Sequence, residues 1–68
     1  MEIRIGIQDS FQVGPQPYYW IGNQGFMLQP CQDIEAAEWT LNQMKKAFET
    51  IPGVTIKRIE GYKWYGGV

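Results

Sequence analysis

One long amphipathic stripe constrains this chain more than any other feature of its sequence. Six apolar residues recur at intervals of three and four positions: Ile34, Ala37, Leu41, Met44, Phe48 and Ile51. This spacing predicts a helix of about five turns over residues 33–51. Asp33 is a suitable N-cap, and Pro52 followed by Gly53 is expected to end the helix. A lone helix needs a sheet to cover its apolar side.

Several segments around this helix predict strands. Residues 2–8 alternate, with three isoleucines on one face, which predicts a half-buried strand. Two further strands are predicted at residues 18–21 and 26–29, joined by a hairpin turn at residues 22–25, where glycine and asparagine tolerate a positive φ. The last strand is predicted at residues 54–59.

The segment between the first two predicted strands contains two prolines. Residues 9–17 are predicted to form a loop, because Pro15 and Pro17 remove backbone donors from a sheet. Phe11 and Val13 are expected to anchor this loop to the core.

The last predicted strand, residues 54–59, has an irregular apolar pattern. Ile59 breaks the alternation of Val54 and Ile56, which predicts a bulge or a register change near Arg58. The predicted fold is therefore α+β, in a single small domain of residues 1–68. Its element order is β-β-β-α-β, with one amphipathic helix packed on a three- to four-stranded, mostly antiparallel sheet.

The residue inventory excludes several classes of chemistry. The chain of 68 residues has no histidine and one cysteine, which rules out histidine catalysis, an intrachain disulfide and a Cys-type zinc site. Glu35 and Glu38 are expected to complement the helix dipole rather than form an acid–base pair. Cys31 is expected to be a small buried hydrophobe rather than a reactive thiol. We expect a non-enzymatic protein with no cofactor, no metal and no small-molecule substrate.

The same inventory gives an expected location. The N-terminal segment lacks the pattern of a signal peptide. The longest apolar run, at residues 18–21, is far shorter than a membrane span. The lone Cys31 fits a reducing compartment. We therefore expect a cytoplasmic protein with no membrane partner.

Trp39 is the most informative residue for function. It lies on the side of the predicted helix opposite the apolar stripe, among Glu35, Gln43 and Lys46. Two interpretations remain open. Either residues 9–17 or the aromatic tail, residues 61–68, cover this ring, or it is an anchor for a protein partner, because tryptophan is enriched in binding hot spots.

Other aromatic residues extend the candidate binding surface. Tyr18, Tyr19 and Trp20 are consecutive, so both faces of their strand carry rings and one face must turn away from the helix. That outer side carries either Tyr19 or else Tyr18 and Trp20. We expect Tyr19 to contact the partner, together with Tyr62 and Trp64 from the tail. The alternative is ordinary aromatic pairing across the strands.

Charge is distributed unevenly along the chain, whose formal net charge is -1. Residues 1–44 carry one basic and five acidic groups, whereas residues 45–68 carry five basic and two acidic groups. Lys57, Arg58 and Lys63 are candidates for contacting a nucleic-acid backbone, and aromatic residues of the same segment could stack on bases: Tyr62, Trp64 and Tyr65. So few cations favour an ordinary solvated basic face.

These observations favour a protein-binding module that contacts a larger protein or protein complex. Phage accessory proteins that block host machinery, anti-CRISPR-type inhibitors among them, are similar in size and style, and that analogy rests on no motif. We therefore expect an inhibitor or modulator that occupies a surface of a larger host macromolecular machine. The alternatives are a nucleic-acid-binding accessory protein and a homo-oligomeric assembly subunit, such as a homodimer.

Overall fold

The computed structural model describes residues 1–64, whereas residues 65–68, which include Tyr65 of the aromatic tail, lie outside the described residues. The described part contains strands and a helix in this order: β1 (Glu2–Ser10), β2 (Gly14–Ile21), β3 (Gln24–Met27), α1 (Ile34–Glu49) and β4 (Thr55–Arg58). The strands form one sheet in the order β3-β2-β1-β4. Neighbouring strands are antiparallel except β1 and β4, which are parallel. The predicted α+β class and element order are confirmed.

The core lies between α1 and one face of the sheet, called here the inner face. Ile3, Ile5 and Ile7 of β1 are buried there against Ala37 and Leu41 of α1. Side chains alternate along a strand, so every second residue of β1 points at the helix, as predicted. Partly buried side chains complete the core around these five: Tyr19, Ile21, Cys31, Ile34, Met44, Phe48, Val54 and Ile56.

The helix begins as the sequence predicts and ends slightly earlier. The Asp33 side chain accepts a hydrogen bond of 2.8 Å from the backbone N–H of Ala36, which satisfies a donor of the first turn. The helix ends at Glu49. Ile51 lies beyond it and is 44% exposed, so the buried stripe ends at Phe48.

Residues 9–17 do not form a loop, contrary to the prediction. The strands β1 and β2 stay paired up to Ser10, which lies opposite Gly14, so only a tight turn separates them. Phe11 and Val13 do not anchor this segment to the core, since they are 104% and 51% exposed. Because the pairing continues to the last residue before the turn, the turn projects beyond the sheet and its side chains stay in solvent.

The two prolines of β2 fit a central strand because of the direction in which their backbone faces. The N–H of Leu28 donates to the carbonyl of Pro17 at 2.9 Å, and the N–H of Cys31 donates to that of Pro15 at 2.7 Å. The backbone N and C=O groups of both prolines therefore point towards the β3 side of β2, at positions beyond the end of β3. The hydrogen bonds between β2 and β1, on the other side, do not need an N–H from either proline. Gln16 Nε2 donates to the Leu28 carbonyl at 3.4 Å, which replaces the bond that Pro17 cannot make.

The predicted bulge or register change near Arg58 is also wrong. The N–H of Thr55 donates to the carbonyl of Met1, and the N–H of Ile59 donates to that of Ile5, both at 2.8 Å. Both strands advance by four residues between these bonds, so no extra residue is inserted. Ile59 therefore continues the alternation of Thr55 and is buried on the outer face of the sheet, which faces away from α1.

The outer face carries a second group of packed aromatic rings. The Trp64 ring lies 4.9 Å from that of Tyr18 and 5.0 Å from that of Trp20, and we call these three residues the outer aromatic cluster. The Tyr18 hydroxyl donates to the backbone carbonyl of Lys63 at 2.7 Å, which fixes the tail over the sheet. Gly6 lies directly beneath Tyr18, and a Cβ at this position would be 2.6 Å from the hydroxyl oxygen.

Candidate protein-binding face

Trp39 projects from the side of α1 that faces away from the sheet. It is 65% exposed, and neither the β1–β2 turn nor the described part of the tail covers it. Glu35, Gln43 and Lys46 are exposed as well. These four residues are spaced by three and four positions and therefore share one side of the helix. We call this group the Trp39 face.

A shallow depression of about 370 Å³ lies along this side of α1. Its lining joins one large ring to amides and to charges of both signs: Trp39, Asn42, Gln43, Lys45, Lys46 and Glu49. Protein interfaces commonly place an aromatic anchor inside a rim of polar side chains. The Trp39 face has this arrangement.

A narrower groove of about 150 Å³ separates α1 from β4. We call it the α1–β4 groove, and its lining residues are Ile5, Leu41, Asn42, Lys45, Ile56 and Arg58. Ile5 and Leu41 belong to the buried core, so the floor of the groove is apolar. Asn42 and Lys45 also line the depression beside Trp39. The groove and the Trp39 face therefore form one continuous surface.

An ion pair fixes one wall of the groove. The Nη1 and Nη2 atoms of Arg58 donate to the two carboxylate oxygens of Glu38 at 2.7 and 2.8 Å. The Tyr62 hydroxyl also donates to this carboxylate, at 3.2 Å. The hydrogen bonds from Arg58 are the main reason why the pKa of Glu38 is lowered and the pKa of Arg58 is raised. The pair joins α1 to β4.

Acid is expected to weaken this connection. Because folding lowers the pKa of Glu38, the pair contributes stability above the unfolded pKa of Glu38, and this contribution is lost as the pH falls through the lower folded pKa. The two side chains are 40% and 31% exposed, so solvent limits the contribution to no more than about 1 kcal/mol. We expect Glu38→Gln to lower the free energy of unfolding by this amount near neutral pH, and by almost nothing at about pH 2.

Urea unfolding of both proteins at the two pH values measures this difference. Glu60→Gln is the matched control, because Glu60 is an exposed glutamate that has no ion pair within residues 1–64. Equal destabilisation of Glu38→Gln at both pH values would show that the carboxylate charge does not contribute.

Two of the other aromatic residues proposed for binding, Tyr19 and Trp64, lie away from Trp39. Tyr19 is half-buried on the inner face, where its ring stacks on Phe26 at 4.9 Å and meets Phe48 at 5.2 Å. Trp64 belongs to the outer aromatic cluster on the opposite face. Tyr62 is exposed and reaches α1 through its hydrogen bond to Glu38. The sheet thus separates Trp64 from the Trp39 face.

The basic residues of the nucleic-acid alternative do not share one face of the sheet. Lys57 and Arg58 are consecutive in β4, so their side chains point to opposite faces. The Arg58 guanidinium is paired with Glu38. Lys63 is exposed in the tail that covers the outer face. The nucleic-acid site remains a prediction, and these positions do not add up to a continuous basic strip.

Asn42 and Lys45 were missed by the sequence reasoning. Asn42 lies three positions after Trp39, and Lys45 lies three positions after Asn42, so a helical projection could have placed Asn42 beside Trp39 and Lys45 beside Asn42. The groove that they border could not be found in this way, because it also needs Ile56 and Arg58 from a strand paired with the opposite end of the chain.

Within residues 1–64, no group of three or more Cys, Asp or Glu side chains is arranged to hold a metal ion. In the same part of the chain, no helix has the length and apolar character needed to cross a membrane. Comparison with protein-family models, with curated proteins and with solved structures returned no match.

Proposed function

We propose that this domain is a small non-enzymatic protein-binding module, which inhibits or modulates a larger macromolecular machine by occupying one of its surfaces. The observation that carries this proposal is the exposure of Trp39, 65% of which is open to solvent on a helix side that the domain does not use for its own core. We place the module in the cytoplasm, because its single cysteine, Cys31, fits a reducing compartment.

An indole ring suits the role of anchor for physical reasons. It presents a large apolar area with few rotatable bonds, and its N–H can donate a hydrogen bond at the edge of an interface. The polar neighbours Glu35, Gln43 and Lys46 can form a rim that excludes water from the contact. Truncating such an anchor commonly costs 2 kcal/mol or more of binding free energy, on the order of a thirtyfold loss of affinity.

The fold fixes the helix that carries this anchor before any partner arrives. The core residues Ala37 and Leu41 fix the opposite side of α1, and Asp33 caps its first turn. The ion pair between Glu38 and Arg58 restrains its edge. A preorganised surface loses less conformational entropy on binding, which favours affinity.

Trp39→Ala tests the proposal directly. Because the ring is mostly exposed, we expect the free energy of unfolding to change by no more than about 0.5 kcal/mol. Tagged wild-type and variant proteins are compared for the protein that they retain from a bacterial lysate, and the affinity for the retained protein is then measured. We expect a loss of affinity on the order of thirtyfold.

Phe11→Ala is the matched control, because Phe11 is an exposed aromatic residue in the β1–β2 turn, outside the Trp39 face. It should bind like the wild type. Unchanged binding by Trp39→Ala would contradict the proposal. Retained nucleic acid that washes off with salt would favour the nucleic-acid alternative instead, and self-association alone would favour the assembly subunit.

A further inference from the structure

We infer that the α1–β4 groove receives an acidic segment of the protein partner, with a carboxylate at its rim and a neighbouring apolar side chain on its floor. This inference rests on the proposed function and specifies the chemistry of the partner. It follows from the charge, the size and the position of the groove.

The charge of the groove favours a carboxylate. The charged residues that line it, Lys45 and Arg58, are both cations, and Glu38, which pairs with Arg58, offsets one of these two charges. Lys45 has no ion pair among residues 1–64. Arg58 uses one N–H from each terminal nitrogen for Glu38, so the guanidinium retains further donors. The Asn42 amide supplies another donor at the same rim.

The size and floor of the groove favour an apolar side chain next to that carboxylate. Ile5 and Leu41 form a buried apolar floor, and Ile56 forms part of the wall. A volume of about 150 Å³ is enough for a group of the size of benzene. A leucine or phenylalanine side chain could therefore enter the groove while an adjacent glutamate or aspartate meets Lys45.

The position of the groove connects this inference to the Trp39 face. Asn42 and Lys45 line both the groove and the depression beside Trp39. A segment that crosses α1 can therefore contact the indole ring and the groove together. Lys46 adds a second cation along this path, opposed by Glu49 at the end of the helix.

A nucleic acid fits the same surface less well. Backbone binding depends on several cations that follow a strand of phosphates, whereas Lys57 lies on the opposite face of the sheet and Arg58 is partly neutralised by Glu38. The floor of the groove has no aromatic ring, so Trp39 is the one ring for base stacking among the residues that line the groove and the depression.

A nuclear magnetic resonance titration of the isotope-labelled full chain tests the inference. The probe is a synthetic peptide in which one leucine is flanked on both sides by glutamates, and the control peptide has lysines in place of these glutamates. We expect the acidic peptide alone to shift the amide signals of Asn42 and Lys45 and the indole signal of Trp39. Lys45→Glu should weaken this binding by about tenfold, because it reverses the charge at the rim.

Lys57→Glu is the matched control variant, since it makes the same charge change on the other face of the sheet. It should bind the acidic peptide like the wild type. The inference is overturned if neither peptide shifts these signals, if both do so equally, or if Lys45→Glu leaves the affinity unchanged. Shifts of the same signals by a single-stranded oligonucleotide, without shifts by the acidic peptide, also overturn it and point to nucleic acid.

A binding assay of Lys45→Glu with the natural partner separates this inference from the proposed function. If Trp39→Ala loses the partner and Lys45→Glu keeps it, the binding module stands and the acidic segment is wrong. If Trp39→Ala keeps the partner, the proposed function itself is wrong.

Discussion

Replacing Tyr18 with alanine is expected to destabilise the domain by about 3–5 kcal/mol, the usual cost of removing a buried aromatic ring. Tyr18 is 0% exposed, although it lies on the face of the sheet away from α1. Its ring packs on Trp64, and its hydroxyl holds the carbonyl of Lys63. A domain of this size rarely has more than about 3–5 kcal/mol of net stability, so we expect most of the variant to be unfolded at room temperature.

Tyr18→Phe is the matched variant for this prediction, because it keeps the ring and removes the hydroxyl. We expect it to cost only about 1 kcal/mol, the typical net value of one hydrogen bond. Urea unfolding followed by circular dichroism measures both variants. If the alanine variant were no less stable than the phenylalanine variant, the outer aromatic cluster would contribute nothing by packing.

Gly6→Ala is expected to destabilise the domain by about 1–3 kcal/mol, the range for adding a methyl group to a packed site. A Cβ at Gly6 would be 2.6 Å from the hydroxyl oxygen of Tyr18 and 2.7 Å from its Cζ. These distances are shorter than real Cβ contacts, so the Tyr18 ring must move away from β1. That movement also breaks the hydrogen bond to Lys63 and loosens the tail.

Gly6→Ala is a decisive test because the expected change in stability is opposite in sign to the usual effect of this substitution. Where the backbone allows it and there is space, glycine to alanine stabilises a protein by about 0.4–1 kcal/mol through the unfolded chain. Thermal unfolding gives the sign, and the fluorescence of Trp64 and Trp20 reports the packing of the cluster. Gln8→Ala, on the same strand and face, is the control. A more stable Gly6→Ala protein would contradict the close packing of Tyr18 on β1.

The features that the sequence predicts correctly depend on local periodicity. The α1 stripe and the alternation of β1 follow from repeats of 3.6 and 2 residues, and the Asp33 cap follows from one side chain and its neighbours. The predicted loop at residues 9–17 fails for a tertiary reason. Whether Pro15 and Pro17 are tolerated depends on which neighbouring strand their backbone faces, and no local pattern contains that information.

The candidate site likewise contains one residue that local periodicity places and contacts that depend on tertiary structure. The position of Trp39 opposite the apolar stripe needs only the geometry of one helix, so the sequence places it correctly. The bond between Glu38 and Arg58, and the position of Trp64 over Tyr18, require β4 to pair with β1. A sequence pattern does not reveal which strands become neighbours, so these contacts could not be predicted.

The parallel pairing of β1 with β4 also has a consequence for the order of folding. The amino group of Met1 donates to the carbonyl of Gly53, 52 positions along the chain, whereas β1, β2 and β3 are joined by short turns. Closing a loop of this length costs about 3–4 kcal/mol of chain entropy, against about 1 kcal/mol for a hairpin turn. We therefore expect the three-stranded meander to form early and β4 to dock last. The wall that completes the α1–β4 groove is then the final part of the domain to take shape.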